Sequence, residues 1–434
     1  MLLYSVLKAV FRPALRVFYA DGGTTGTEHL PETGPLVVVA NHPNTLLDPL
    51  LVGMLWRREL RFLTTSKFFR GVGGWVLRRT GALPVYRQDD HRPATAAALT
   101  GAERLAHNDA SFRVAFRQLA AGEALLIFPE GTSEPARGLR PLKPGVARIA
   151  LGAEARHGWR LGVQILPVGL NYAEAPRFRS GLRRCVGPPI RVADYRARYE
   201  ANPAAAVRAL TQDVRGALAG QLAIVSPPEL DALLYAIEHL TPGRAPDVAR
   251  TRALSDALRA LSLHDPARLA ALRRQVFSLL RVLHRLGLPA EALAAPASAG
   301  RAAVQAAGLL LSAPVAAWGA INNALAFGLP PLLLRRLRLA VEFGPSLLVV
   351  SGIATVMVSY ALQTALVAWL TASAGWAAGY LLSVPLAGAF AWRYHGWWRG
   401  WRGRRRAAWL AWRRPRLLAA LRAERAAVRA NVST

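Results

Sequence analysis

The chain has 434 residues, 53% of them hydrophobic, with a formal charge of +29 and one cysteine. One cysteine excludes an internal disulfide, so the fold needs no oxidising compartment. So large a positive charge fits a nucleic acid or an anionic membrane surface. The positive mean hydropathy, the apolar runs near the C-terminus and the lack of zinc-ligand spacing or an aromatic–basic motif favour an anionic phospholipid membrane as partner, with no nucleic acid.

Residues 1–24 read as an amphipathic membrane-surface helix. Lys8, Arg12 and Arg16 recur every four residues and share one helix face, while Leu3, Leu7, Val10, Phe11 and Phe18 largely occupy the other. The charges leave no apolar run long enough to span, and no small-residue cleavage site is evident.

Residues 25–200 alternate between strand-like and helix-like segments. Leu36–Ala40, Arg61–Thr65, Ala82–Tyr86, Ala124–Phe128, Gln164–Leu170 and Arg183–Val192 read as strands; Thr45–Arg58, Gly71–Arg79, Ser111–Ala121 and Pro144–His157 read as helices. This alternation predicts an α/β fold, a mostly parallel sheet flanked by helices. Ligands then bind outside the carboxyl ends of the strands. His42 follows the first of these strands, Arg87 the third and Glu130 the fourth, so parallel strands bring all three to one edge.

The corner after Leu36–Ala40 reads Asn41-His42-Pro43-Asn44, with Asp48 opening the next apolar segment. A carboxylate beside an imidazole fixes its tautomer and favours its protonated form, which makes a general base. The alternative is a satisfied histidine in a turn. Phe128-Pro129-Glu130-Gly131-Thr132-Ser133 offers backbone N–H groups and a hydroxyl to an anion, and the glycine permits unusual dihedrals. The Arg87 guanidinium could fork onto a phosphate, and Arg137, Arg140 and Lys143 add positive field. Each of these cations could equally be a solvated surface charge. Cys185 reads as a small buried residue rather than a nucleophile.

Residues 201–300 form a helical accessory region, with Leu254, Leu258 and Leu261 on one helix face and Leu269, Leu272, Val276, Leu279 and Leu283 on another. C-terminal membrane helices follow over 301–394. Ala302–Leu334 and Phe343–Trp392 carry no charge. The second run is long enough for two spans broken near Thr371–Gly375, with Trp369 and Trp376 as interfacial anchors. Basic residues end both runs, which the positive-inside rule puts on the cytoplasmic side. The first run then reads as a re-entrant or broken hairpin turning at its prolines and asparagines; one straight span is the rival. The tail, 395–434, interleaves Trp397, Trp398, Trp401, Trp409 and Trp412 with arginines, as suits a lipid headgroup layer. Nucleic-acid binding is the alternative for this tail.

Four motifs occur in order: Asn41-His42 with Asp48 downstream, Gly81-Ala82-Leu83-Pro84-Val85-Tyr86-Arg87, Phe128-Pro129-Glu130-Gly131-Thr132, and Ile165-Leu166-Pro167-Val168. Over about residues 25–195 the chain resembles the glycerophospholipid acyltransferase family, which includes 1-acylglycerol-3-phosphate and glycerol-3-phosphate acyltransferases. The resemblance implies a membrane-bound enzyme that moves a fatty acyl group from a thioester donor, acyl-CoA or acyl-carrier protein, to a hydroxyl of a phosphorylated glycerol acceptor. It implies His42 as general base and Asp48 as its orienting carboxylate. It implies that Arg87, Glu130 and Gly131 hold the phosphorylated acceptor and that Pro167 belongs to the block linked to the acyl donor; Asn41, Thr132 and Lys143 are further substrate-binding candidates from their place in these motifs. Neither a metal nor a further cofactor is expected. The sequence departs from the family twice: five residues rather than four separate His42 from Asp48, and Ser133 stands where arginine is frequent. A phosphate contact could then fall to Arg137, Arg140 or Lys143. The expected setting is a bacterial-type inner membrane with the catalytic domain cytoplasmic. The rival readings are another acceptor, such as a lyso-ornithine lipid or dihydroxyacetone phosphate, and a non-catalytic membrane scaffold. A serine hydrolase is disfavoured by the lack of a Gly-x-Ser-x-Gly turn.

Overall fold

The computed structural model describes residues 2–85, 101–240, 247–293, 299–337 and 339–433. Arg87 lies outside the described residues, as do Tyr86 and most of the small-residue stretch before 300. The chain forms two compact units. The first is built on residues up to Ile224 together with Val341–Ser346; the second takes most of the chain from Val225 onward.

Among the described residues, the first unit holds an eight-stranded sheet. The N-terminal helix α1 (Leu2–Phe18) leads into β1 (Ala20–Thr25). Then come β2 (Leu36–Ala40), α2 (Leu47–Gly53), β3 (Leu60–Thr65), α3 (Gly71–Arg79), β4 (Leu83–Val85), α4 (Gly101–Ala120), β5 (Ala124–Ile127), α5 (Gly145–Arg156), β6 (Gln164–Tyr172), β7 (Gly181–Val186) and β8 (Ile190–Arg191). The strand order is β1-β7-β6-β2-β5-β3-β4, with β8 beside β6. The block β6-β2-β5-β3-β4 is parallel throughout. Strands β7 and β8 run antiparallel to β6. The sheet is therefore mostly parallel, as the strand–helix alternation predicts.

Strands β2 and β5 are buried at every position, and so they read as unbroken apolar runs. On one face Val37, Val39, Leu125, Ile127 and Ile165 meet Leu119, Ile149 and Ala150 from α4 and α5. Helix α6 (Arg196–Ala201) follows, and then α7 (Pro203–Ala219), whose Ala206, Leu210 and Val214 join this same core. The first unit thus runs on to Ile224 rather than stopping near residue 200.

Three local differences from the sequence reading have simple causes. The stretch expected as one strand, Arg183–Val192, splits at Gly187-Pro188-Pro189, since proline cannot donate to a ladder. Residues 20–24, expected within the N-terminal helix, form with Thr25 an edge strand on β7 instead. Lys8 does not stay on an exposed basic face: its Nζ donates to the Trp56 carbonyl at 2.6 Å. Leu15 and Phe18 of α1 are buried, whereas Val6, Val10 and Val17 are exposed.

Gly26 closes β1 at φ 74°, and a Cβ there would lie 1.9 Å from the Val186 carbonyl oxygen. Gly26→Ala should therefore cost about 1–3 kcal/mol in chemical denaturation. An unchanged midpoint would show that the β1–β7 edge yields freely.

The second unit contains α8 (Asp231–Leu240), α9 (Val248–His264), α10 (Pro266–Leu286), α11 (Ala299–Asn322), α12 (Ala324–Leu337), α13 (Gly344–Thr371, whose first residues belong to the first unit), α14 (Ala374–Arg413) and α15 (Pro415–Ser433). One apolar cluster joins Leu234, Leu258, Val276 and Leu279 to Leu410, Leu418 and Val428. The tail's last helices therefore pack with the accessory helices. Arginines of the tail cap carbonyls there: Arg406 reaches Gly287, Arg422 reaches Leu293 and the buried Arg425 reaches Leu240.

Among the described residues, three helices, over Ala302–Asn322, Val341–Thr371 and Ala374–Arg413, are long and apolar enough to cross a membrane. The break between α13 and α14 falls at Ala372-Ser373, flanked by the exposed Trp369 and Trp376. Helix α11 runs antiparallel to α14: Trp401 donates to the Ala302 carbonyl, Arg404 to Gln305, and Gly319 lies against Ala387. Past Asn323 the direction reverses. The Asn323 amide reaches Val384, whereas Phe327 stacks on Trp392 further along α14. Tyr360 donates to Asn323, Tyr380 donates to Asn322, and Gln363 donates to the Asn322 carbonyl, so the interruption between α11 and α12 is satisfied by side chains.

Candidate active site

Parallel strands bring the ends of β2, β5 and β6 to one edge, and the polar cluster forms there. Strand β2 ends at Ala40. Asn41 follows, with both amide atoms spent on the Leu170 backbone: Nδ2 donates to its carbonyl at 3.0 Å and Oδ1 accepts its N–H at 2.8 Å. Asn41 thus clamps β2 to β6, and the amide expected to bind substrate is already occupied.

His42 lies at the turn, with 14% of its side chain exposed. Its Nδ1 is 2.9 Å from Asp48 Oδ2. The five intervening residues do not prevent the pair from meeting. Helix α2 begins only at Leu47, so the extra residue is taken up in the turn before it. That turn closes on the same carboxylate: the Asn44 N–H donates to Asp48 Oδ2 at 2.7 Å, and the Asp48 N–H donates back to the Asn44 carbonyl. The ring of His42 also stacks on Phe128, with centroids 3.9 Å apart and planes 12° from parallel. An Nδ1–H donated to Asp48 leaves Nε2 to accept a proton.

Asp48 is fully buried. Its other oxygen accepts the Tyr172 hydroxyl at 2.6 Å. Burial pushes the Asp48 carboxyl above the ordinary range, against the pull of His42, Tyr172 and the Asn44 N–H. Tyr19 lies beside Tyr172, with ring centroids 5.2 Å apart. It donates to the Ala175 carbonyl and accepts from Asn44 Nδ2 at 2.8 Å. Burial and then the Asp48 charge raise its phenol.

The turn after β5 wraps around His42. Glu130 Oε1 accepts the His42 N–H at 3.1 Å, and the Glu134 N–H donates to the His42 carbonyl at 3.0 Å. Glu130 Oε2 takes Arg140 Nε at 3.1 Å. Arg140 also pairs with Glu134 and reaches Thr132 through both its hydroxyl and its carbonyl. So Glu130, expected to hold acceptor, instead ties the histidine turn to Arg140, and both ends of that link are engaged within the protein. Gly131 turns the chain at φ 80°, with the Lys143 side chain directly over it: a Cβ would lie 2.7 Å from Nζ. Lys143 is exposed. Ser133 shares a 2.9 Å hydrogen bond with Thr45 and so joins the two turns. Pro167 lies buried inside β6, opposite Val39, with its carbonyl bonded to Gly187 N–H, away from the strand end that carries Tyr172.

The structure thus gathers His42, Asp48, Asn41, Glu130, Gly131, Thr132 and Lys143 at one edge and sets Pro167 apart. Sequence reasoning missed Tyr172, Phe128, Asn44 and Tyr19. A phenol at the carboxyl end of the strand beside His42 was the available signal for Tyr172, but the expected strand stopped at Leu170. Val341–Ser346 also docks on this corner: the Leu46 N–H donates to Ser346 Oγ and Thr45 Oγ1 to the Glu342 carbonyl, each at 3.3 Å. No group of three or more His, Cys, Asp or Glu side chains poised to hold a metal occurs among the described residues.

The fold and corner define an α/β domain with an Asp–His dyad, its carboxylate buried and its imidazole part-exposed, at the carboxyl edge of its sheet. Residues 23–171 match the family model for acyltransferases. Similar curated proteins include glycerol-3-phosphate O-acyltransferase 1 of Saccharomyces cerevisiae, 42% identical over 77 residues, which are 18% of this chain and 10% of that one. Glycerol-3-phosphate O-acyltransferase 2 of the same yeast is 35% identical over 26% of this chain and 15% of its own. An uncharacterized acyltransferase of Schizosaccharomyces pombe is 27% identical over 40% of this chain and 37% of its own. The chain thus spans well under half the length of each. Among solved structures, the 1-acyl-sn-glycerophosphate acyltransferase of Thermotoga maritima is similar at 19% identity and a TM-score of 0.35, covering 50% of this chain and 78% of that one. Residues 23–171 thus form an acyltransferase domain, similar over part of its length to the yeast glycerol-3-phosphate acyltransferases.

Proposed function

We propose that the protein is a membrane-bound O-acyltransferase acting on glycerol-3-phosphate or lysophosphatidic acid, with acyl-CoA or acyl-carrier protein as donor. The observation that carries this is the His42 Nδ1–Asp48 bond of 2.9 Å at the sheet edge. His42 Nε2 removes the proton of an acceptor hydroxyl. The oxygen attacks the thioester carbonyl, the tetrahedral intermediate collapses, and the C–S bond breaks. The proton held by His42 passes to the leaving thiolate. No covalent acyl-enzyme is needed, because a thiol leaves readily. A positioned base is worth about 10²–10⁴-fold, and orientation and oxyanion stabilisation supply much of the rest.

Lys143, exposed above Gly131, is the cation best suited to meet the acceptor phosphate, since Arg140 is engaged with Glu130 and Glu134. The yeast relatives named for glycerol-3-phosphate favour that acceptor. The apolar helices and the tryptophan–arginine tail suit an enzyme whose product is a membrane lipid.

The test incubates membranes holding the protein with radiolabelled acyl-CoA and, separately, glycerol-3-phosphate, lysophosphatidic acid and dihydroxyacetone phosphate. Acylated product is expected with one of the first two. No product with any acceptor, from acyl-CoA or from acyl-carrier protein, would leave a scaffold role in its place.

A further inference from the structure

We infer that Tyr172 is a positioning residue that keeps Asp48 in its ionised, hydrogen-accepting form, so that the dyad's proton stays on His42 Nδ1 and Nε2 remains open to the acceptor hydroxyl. The inference rests on the acyl-transfer reading above and names a residue one position beyond the stretch that matches the family model.

The geometry is closed on every side of the carboxylate. Asp48 Oδ1 accepts Tyr172 OH at 2.6 Å, and Oδ2 accepts the Asn44 N–H at 2.7 Å while meeting His42 Nδ1 at 2.9 Å. Asp48 is 0% exposed, so water supplies nothing. The groups facing it come from three places in the fold: His42 and the Asn44 N–H from the turn after β2, Tyr172 from the end of β6, and Tyr19 from the α1–β1 junction, reaching it through Asn44. Glu130, from the turn after β5, touches the histidine backbone and not its ring. His42 is the one group bonded to Asp48 that can carry a positive charge, among the described residues.

A carboxylate so placed can take the shared proton itself. The neutral acid would then donate to Nδ1, which forces the imidazole into the tautomer with hydrogen on Nε2. That tautomer cannot act as a base toward the acceptor. Tyr172 works against this outcome. Its phenol is fully buried and held well above its usual range by burial first and by Asp48 next, so it stays protonated and donates. A donor stabilises a charged acceptor more than a neutral one. Its bond is therefore strongest when the dyad carries a net negative charge, which is the form competent as a base.

Removing the phenol destabilises the anionic dyad more than the dyad bearing one more proton, so the acid limb of the rate profile moves to higher pH. Tyr172→Phe is expected to shift that limb of kcat/KM upward by about one pH unit and to lower plateau kcat by about 3–10-fold. KM for the acceptor stays near the wild-type value. A residue that merely fills space would lower activity evenly across pH.

The experiment measures kcat/KM from about pH 5 to 9, a range that brackets histidine titration, for the full-length wild type, Tyr172→Phe and Tyr19→Phe in the same membranes. An upward shift confined to Tyr172→Phe supports the inference. A superimposable or uniformly scaled profile overturns it, as does an equal shift in Tyr19→Phe, whose hydroxyl does not touch Asp48. Combining Tyr172→Phe with Asp48→Asn adds a second readout: the phenol's loss should then cost nothing further, and an undiminished cost overturns the inference. Should the phenylalanine variant not fold, 3-fluorotyrosine at position 172 supplies a stronger donor in nearly the same shape. It should move the limb to lower pH, and an unmoved limb counts against the inference. Absence of transfer by the wild type itself would instead sink the acyltransfer reading.

Discussion

Membranes carrying His42→Ala should make no acylated product above background, with the thermal transition midpoint of the protein nearly unchanged. The ring is part-exposed and rests on Phe128, so its loss removes one stacking contact and one hydrogen bond from the fold. Its backbone ties, N–H to Glu130 and carbonyl from Glu134, survive in alanine. The chemistry loses its proton acceptor, a loss of about 10²–10⁴-fold. The check is a single-turnover assay with labelled acyl-CoA beside a melting curve on the same preparation. Activity within a few-fold of wild type would remove His42 from the mechanism.

Asp48→Asn should separate activity from stability still more sharply. The raised carboxyl of Asp48 means that burying its charge costs more than its partners return. A carboxyl whose folded-state pKa lies above the unfolded value helps the fold at low pH, where it is protonated. That help is lost as pH rises through the folded value. At neutral pH a neutral amide of the same shape removes the charge-burial cost. The expected result is a melting temperature equal to or above wild type at about pH 7, with the gain fading on acidification. Transfer should fall by about 10²–10⁴-fold, because the imidazole loses the charge that fixes its tautomer and stabilises its protonated form. Full activity in Asp48→Asn would mean that the five-residue spacing leaves His42 oriented by other groups.

Much of this site was legible because it hangs on continuous apolar strands. Leu36–Ala40, Ala124–Ile127 and Gln164–Tyr172 are buried on both faces, so their pattern marks them as central parallel strands, and the polar residues at their ends must share an edge. The residues at that edge could be named from the sequence, but not the directions of their side chains. Glu130 was read as facing a ligand; its carboxylate points back to the His42 N–H and Arg140. Asn41 and Lys8 are similar cases, each turned inward to a backbone carbonyl. Tyr172 escaped because polar Asn171 masks the last two residues of its strand. The docking of Val341–Ser346 on Thr45 and Leu46 joins positions about 300 residues apart, and no local pattern reports that.

The reversal at Asn322-Asn323 carries a consequence for crossing parity. Helix α11 starts level with the arginine-rich half of α14, and α12 runs back down the same helix. Helices α13 and α14 form a hairpin of their own, joined near its tip by the Tyr380–Gln363 bond. Gln363 lies about 13.5 Å along its helix from the Ala372-Ser373 turn, at about 1.5 Å per residue. The asparagines bonded to Gln363 and Tyr380 therefore stop short of that turn. Although α11 is long enough to cross, the return of α12 along α14 leads us to expect no net crossing by α11 and α12 together, with the α13–α14 hairpin as the one that would traverse a bilayer. Cysteines at Gln305 and Leu337 should react with an impermeant thiol reagent from the same side of sealed vesicles, and one at Ala372 from the opposite side; the native Cys185 is buried. Labelling of Gln305 and Leu337 from opposite sides would instead make α11 a full span. Labelling with even parity would mean that both hairpins return the chain to one leaflet and that every basic cluster flanking them faces the same water.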